Sequence, residues 1–314
     1  MGLRSWVNRT ATGTEPAALR ESVDPPTWFT DALAIKPRKS SIVVAGCSVH
    51  YRTWGDAHRP ALVLIHGGGA HSGWWDHIAP LLSRQHYVIA PDLSGHGDSD
   101  RRPEYSLRTW SREALAVGTA HDSDARPLLV GHSMGGWVAA TAAVHDGGDI
   151  GGIVAIDSPL RDRAPEGGRM QNVGRNPVGY RSREDIISRF RTVPAQDGDL
   201  WFVSDHIAAE SVQRRGGRWF WKFDPRVFAL SESNFGPTDQ EPLEEMFAGM
   251  PCRTGFIRCE RGILAAEMAQ RIESVLQLRG PFIELAAAGH HPMVDQPLSL
   301  VAALRTLLEM WSIT

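Results

Sequence analysis

Cysteine is scarce: Cys47, Cys252 and Cys259 are the full complement of the 314 residues. Their number is odd, none stands in a C-x-x-C pair, and no pair of histidines accompanies them at zinc-ligand spacing. This argues against a disulfide framework and a structural zinc site, and fits reduced thiols in a cytoplasm. Lysine is equally rare, at Lys36, Lys39 and Lys222; the other basic residues are Arg, which reads as codon usage rather than a binding surface. Against 33 basic residues stand 36 acidic ones, a net charge of −3, so nothing marks a nucleic-acid partner. No apolar run approaches the ~18 residues of a membrane span. Between Met1 and Thr30 the charges Arg4, Arg9, Glu15, Arg20, Glu21 and Asp24 leave no apolar stretch for a secretory signal. Trp6 stands where an N-myristoylation pattern requires Ser or Thr. Repeats and low-complexity tracts are missing too.

What is present is a globular composition, 42% hydrophobic and 22% charged. The length allows two small domains or one large α/β domain with an insertion. Residues 1–40 are polar and hold Pro16, Pro25, Pro26 and Pro37, which reads as an N-terminal extension with a short helix around Trp28 to Ala34. Ser41–Ala45 and Ser48–Trp54, joined at Gly46, form an expected hairpin. Short apolar runs then alternate with helical patterns. The runs are Ala61–Ile65, Tyr87–Ala90, Leu128–Val130, Ile153–Ile156, Gly255–Ile257 and Phe282–Leu285. Helical patterns fall near Trp74–Ser83, Leu107–Ala116, Gly135–His145, Ala265–Leu276 and Leu298–Trp311. Runs without strict alternation are strands buried on both faces, and the strand–helix rhythm predicts a mostly parallel, doubly wound sheet. Residues 159–242 break this rhythm. They carry Arg161, Arg163, Arg169 and Arg175, then the aromatic group Trp219, Phe220, Trp221, Phe223 and Phe228, and read as a cap inserted into a core of 41–158 and 243–314.

Three motifs carry chemistry. Gly131-His132-Ser133-Met134-Gly135-Gly136 follows an apolar run and opens a helical one. A serine in so sharp a strand-to-helix turn needs small neighbours, and its hydroxyl projects above the sheet beside the positive end of a helix. Ile65-His66-Gly67-Gly68-Gly69 follows another strand, and its amides can face a developing oxyanion. The donors expected are the N–H groups of Gly68 and Met134, with Gly69 as fallback for the first. A phosphate loop would need G-K-[ST] or G-x-G-x-x-G, and neither occurs here. Gly289-His290-His291-Pro292 follows the last strand. His290 is the expected general base for Ser133 and His291 its neighbour.

These motifs, with Pro91-Asp92-Leu93-Ser94-Gly95-His96-Gly97-Asp98-Ser99 and the stretch Ala288 to Pro297, resemble the α/β-hydrolase superfamily, in its capped serine esterase and cofactor-free haloperoxidase-like branch. The resemblance spans roughly Ser41 to Trp311. It implies an eight-stranded sheet, a helical cap after the sixth strand and a triad in the order Ser, acid, His. The chain departs from the family at the acid. The usual position after the seventh strand holds Gly262, and no Asp occurs between Asp239 and Asp295. Asp157, ending the sixth strand, is the favoured acid, since some superfamily members place theirs there; Glu260 is the alternative. Asp92, His96 and Asp98 are expected to hold their loop together, His66 to bond local backbone, and Asp295 to form a turn. Trp74 and Trp75 either line a pocket or fill core, and Trp221 either walls a substrate or packs the cap.

The activity expected is hydrolysis of a small, largely hydrophobic carboxylic ester or lactone through an acyl-enzyme, by Ser133, His290 and Asp157, with Gly68, Met134, Gly69, Trp74 and Trp221 around the substrate and neither metal nor cofactor. Ser133 excludes epoxide hydrolases and haloalkane dehalogenases, which need a carboxylate nucleophile. Perhydrolysis of the haloperoxidase type is one alternative. A non-catalytic ligand-binding protein, motivated by the acid missing at Gly262, is another.

Overall fold

The computed structural model describes residues 24–159, 178–228, 246–247, 249–276 and 280–312. The Arg161, Arg163, Arg169 and Arg175 group and the cap boundary at 242 lie outside them. Among the described residues the strands are β1 (Arg38–Val44), β2 (Cys47–Trp54), β3 (Ala61–Ile65), β4 (Tyr87–Pro91), β5 (Leu128–His132), β6 (Gly152–Ile156), β7 (Val212–Arg215), β8 (Arg218–Trp221), β9 (Arg253–Arg261) and β10 (Phe282–Gly289). The helices used below are α1 (Thr27–Ala34), α2 (Ala79–Leu82), α3 (Leu107–Thr119), α4 (Met134–Asp146), α5 (Arg183–Ile187), α6 (Trp201–Glu210), α7 (Ala266–Leu276), α8 (Pro292–Asp295) and α9 (Pro297–Ser312).

Eight strands form one sheet in the order β1-β2-β4-β3-β5-β6-β9-β10. Only β2 runs against its neighbours; every other pairing from β4 to β10 is parallel. The hairpin turn at Ala45 and Gly46 has φ of 46° and 76°, the two left-handed residues that match strand twist in a two-residue loop. β3 and β6 are buried at every position, as strands covered on both faces must be. Successive residues feed opposite sides. Val63, Ile65, Leu129, Ile153 and Ala155 meet Trp110 and Val117 of α3 and Trp137 of α4. Leu62, Leu64, Val130, Val154 and Ile156 meet Trp75, Phe29 and the Leu300, Leu304 and Leu307 stripe of α9. The period of two in the strands thus divides one apolar run between two cores. Helix α4 is buried almost all round, which explains why it carries so little amphipathic pattern.

Between β6 and β9 lie α5, α6 and the hairpin β7–β8, a short antiparallel pair the sequence rhythm did not announce. Among the contacts that fasten this insertion to the rest of the fold, three sets stand out. Arg52 on β2, nearly inaccessible, bonds Asp76 at 2.6 Å and Glu210 of α6 at 2.7 Å. Burial works against the Arg52 charge, but Asp76 and Glu210 outweigh it and hold its pKa above the usual value. The loop after β4 meets the insertion through Lys222 and Asp98, 2.8 Å apart, and through the Gly97 amide on the Lys222 carbonyl. Asp92 organises that loop from inside, accepting from the Ser72 and Asp98 amides and from His50. Lastly, Phe29 of α1 is buried with its ring centre 4.8 Å from Phe202 of α6 and 5.8 Å from His77. The body therefore begins upstream of residue 41: β1 starts at Arg38, and α1 packs against both core and insertion. Among the described residues no helix is long and apolar enough to cross a membrane.

Candidate active site

Ser133 sits between β5 and α4 with φ 52° and ψ −116°, a conformation a side-chain-bearing residue adopts only under constraint. Its amide donates to Ile156 O on the neighbouring strand at 2.9 Å. Flanking glycines permit the turn. A β-carbon on Gly131 would lie 2.0 Å from Gly135 O, and one on Gly135 2.4 Å from Ile65 O. The hydroxyl therefore stands at the carboxyl edge of the parallel sheet, at the start of α4.

His290, in the loop after β10, lies with Nε2 3.1 Å from Ser133 Oγ and Nδ1 2.7 Å from Asp157 Oδ2. Asp157 ends β6, has φ 43° and is fully buried. Its carboxylate also accepts from the Cys259 amide at 3.3 Å and the Ile263 amide at 2.9 Å. Since a carboxylate can only accept, His290 donates from Nδ1, which leaves Nε2 with its lone pair toward the Ser133 hydroxyl. Of the two candidate acids, Asp157 meets the imidazole. Glu260 is exposed and takes the Ala287 amide instead.

Gly68 packs beside Met134 and Phe228: a β-carbon on it would lie 3.7 Å from the Met134 sulfur and 3.2 Å from the Phe228 ring. Met134 is the first residue of α4, where an amide has no partner within the helix. Gly68, Gly69, Trp74, Phe190, Trp221 and Phe228 line a cleft of about 310 Å³, shared with His71, His291 and the basic residues Lys222, Arg189 and Arg191. Trp74 is buried and touches both Phe190 and His291, while Trp75 is core. His66 bonds the Gly67 carbonyl and accepts from the Leu93 amide. Burial of His71 beside the cleft pushes its pKa down to about 4.

A family model described as "Alpha/beta hydrolase family" matches residues 62–304. The chain belongs to the α/β hydrolase family. This α/β hydrolase is 26% identical to Esterase Rv0045c of Mycobacterium tuberculosis over 270 residues, 82% of the present chain and 85% of the relative. Uncharacterized proteins of Mycobacterium bovis and M. tuberculosis share 42% identity over 81 residues, a match spanning only 24% of their length. Protein phosphatase methylesterase 1 of Mus musculus shares 35% over 137 residues, 41% of this chain and 35% of the relative. Among solved structures, the thioesterase domain from the curacin biosynthetic pathway superposes with a TM-score of 0.69 at 22% identity, covering 86% of this chain and 99% of that one.

Several residues of this α/β hydrolase that shape the site were invisible as such in its sequence. Asp295, read as a turn former, accepts the Gly289 amide at 2.6 Å and so fixes the loop that carries His290. Burial raises its pKa to about 6, against the opposing pull of the Gly289 hydrogen bond. Gln196, from the insertion, accepts the His291 amide at 2.7 Å. His132, inside the serine motif, donates from Nε2 to the His290 carbonyl at 2.7 Å. Burial first, then the neighbouring imidazoles of His290 and His291, lowers its pKa well below the ordinary histidine value. Its position next to Ser133 was the one available clue; the Gln196 contact joins segments 95 residues apart, and the Asp295 contact, spanning six residues, closes a loop that has no periodic pattern.

Proposed function

We propose that this chain is a serine hydrolase that cleaves a small, largely hydrophobic carboxylic ester or lactone through an acyl-enzyme. The observation that carries the reading is the continuous path from Ser133 Oγ to His290 Nε2 at 3.1 Å and from His290 Nδ1 to Asp157 Oδ2 at 2.7 Å. Ser133 Oγ attacks the ester carbonyl while its proton passes to His290 Nε2. Asp157 stays ionised, holds the imidazole in register and stabilises its cation. The Gly68 and Met134 amides face the developing oxyanion, with Gly69 beside them. Collapse of the tetrahedral species expels the alcohol, which takes the proton from Nε2. Water, deprotonated by the same nitrogen, then releases the acid and frees Ser133.

The apolar walls supplied by Trp74, Trp221 and Phe228 support a hydrophobic substrate, with the insertion acting as a cap over it. Relatives named as esterases support the reaction class. A purely ligand-binding role drew its motive from the glycine at position 262, and Asp157 supplies the carboxylate that role presumed lost. The test is Ser133→Ala assayed on p-nitrophenyl esters: turnover should fall by about 10⁴-fold or more, with the melting temperature unchanged. A fluorophosphonate should label the wild type at Ser133. A folded variant that keeps its turnover, or a wild type that resists the probe at high concentration, overturns the mechanism.

A further inference from the structure

Three imidazoles converge beside the Ser133 hydroxyl. One ring nitrogen from each of His132, His290 and His291 lies within 4.8 Å of the others. Their ring centres are 4.8, 5.2 and 4.7 Å apart. All three are buried, at 2, 4 and 6% exposure. Each ring has an oxygen acceptor that fixes its tautomer. His132 Nε2 donates to the His290 carbonyl, His290 Nδ1 to Asp157 and His291 Nε2 to the Val193 carbonyl. Each ring therefore keeps one nitrogen with a lone pair. On His291 that nitrogen, Nδ1, is buried and has no hydrogen-bond partner among the described residues, and such groups are rare enough to demand a reason.

Three neutral imidazoles are the protein ligand set of one class of tetrahedral zinc site. Metal–nitrogen bonds of about 2.0–2.1 Å at tetrahedral angles place the ring centres about 5 Å apart, matching the spacing seen. Behind His290 stands Asp157, the kind of carboxylate that orients a metal-bound imidazole. Coordination through Nδ1 of His132 and of His291 leaves both of their carbonyl hydrogen bonds intact.

We propose that His132, His290 and His291 bind a late first-row divalent ion such as Zn²⁺, with a fourth position open to water or the Ser133 hydroxyl, and that binding switches off hydrolysis. The ion occupies the lone pair on His290 Nε2 that must otherwise receive the serine proton. The inhibition rests on the serine-hydrolase reading above; the binding does not. Imidazole ligands select Zn²⁺, Co²⁺, Ni²⁺ or Cu²⁺ over the oxygen-seeking Mg²⁺ and Ca²⁺.

The experiment uses Co²⁺ as a spectroscopic probe on the full chain. One equivalent should produce the intense visible bands of tetrahedral cobalt, which Zn²⁺ bleaches and Mg²⁺ leaves alone. His291→Asn, checked for folding by circular dichroism, should bind cobalt more than about tenfold more weakly; if it misfolds, His132→Asn carries the comparison. In parallel, Zn²⁺ should suppress both ester turnover and fluorophosphonate labelling of Ser133, and EDTA should restore them. Absence of tetrahedral bands, or equal binding by a folded variant, overturns the site. Bands that depend on His291 in a protein whose metal-free form turns over no ester support the site and refute the hydrolase reading instead.

Discussion

Asp157 and Gly262 share one space: a β-carbon at position 262 would lie 2.2 Å from Asp157 Oδ2. Gly262 follows the seventh strand of the sheet, β9, where related hydrolases are expected to keep their acid, whereas Asp157 ends the sixth. On the reading proposed above, the orienting carboxylate stands one strand over from the position the resemblance implies, and a side chain at 262 would collide with it. Asp157→Asn should lower kcat by about 10²–10⁴-fold, as losing the orienting carboxylate does in serine triads. Gly262→Ala should also lower kcat, by displacing Asp157. The pair Asp157→Gly with Gly262→Asp should regain activity over Asp157→Gly alone. Steady-state kcat/KM on one p-nitrophenyl ester checks all four, and a double variant no better than the single one would refute the exchange.

Arg52 ties the insertion to β2 through Asp76 and Glu210. Replacing it by Met leaves Asp76, largely buried, with His206 as its remaining partner at 3.0 Å. Breaking one side of a buried pair costs about 3–5 kcal/mol, and the part-exposed Glu210 places this case at the lower end. Urea titration should show the loss as a lower midpoint. An unchanged midpoint would mean that the insertion is held elsewhere.

Asp295 gives a pH signature in stability. Its carboxyl is raised by burial from 3.8 to about 6 in the folded chain. The folded state thus holds this proton more tightly than the unfolded state does. Stability from this group is full below pH ~4 and is lost as pH rises through 6. Asp295→Asn keeps an acceptor for the Gly289 amide and removes the titration. The melting temperature of the variant minus that of the wild type should climb between pH 4 and 6.5 and then level off. A flat difference across this window would contradict the assignment.

Trp221 belongs to β8 and forms part of the cleft wall, 6.3 Å from the Phe190 ring. Trp221→Ala should raise KM about tenfold for long acyl chains, equivalent to about 1.4 kcal/mol of binding, and change it little for acetate esters. A chain-length series of p-nitrophenyl esters reads this out. A uniform rise across the series would assign Trp221 to packing of the insertion instead.

The sheet was legible because strands buried on both faces write themselves as unbroken apolar runs, and Ala61–Ile65 and Ile153–Ile156 fall inside strands of the fold. Ser133 and His290 were legible because glycine-flanked turns at strand ends are local. Asp157 could be narrowed to two positions but not fixed, since the choice turns on whether β6 or β9 places its end beside β10's loop. The hairpin β7–β8 was hidden because aromatic residues in Arg218–Trp221 fit a packed helix as readily as a strand. Asp295 and Gln196 escaped for a different reason: a side chain that holds a loop amide, six residues away for Asp295 and 95 for Gln196, leaves no periodic trace.

Phe29 bears on one side against Phe202 of the insertion and on the other against His77, whose Nε2 donates to the Met293 carbonyl just beyond the histidine loop. The segment preceding the first strand thus packs at once against the insertion and, through His77, against the residues that follow the histidine loop. An eight-residue helix thereby anchors two otherwise separate parts of the fold, and loss of the Phe29 ring would loosen both contacts together.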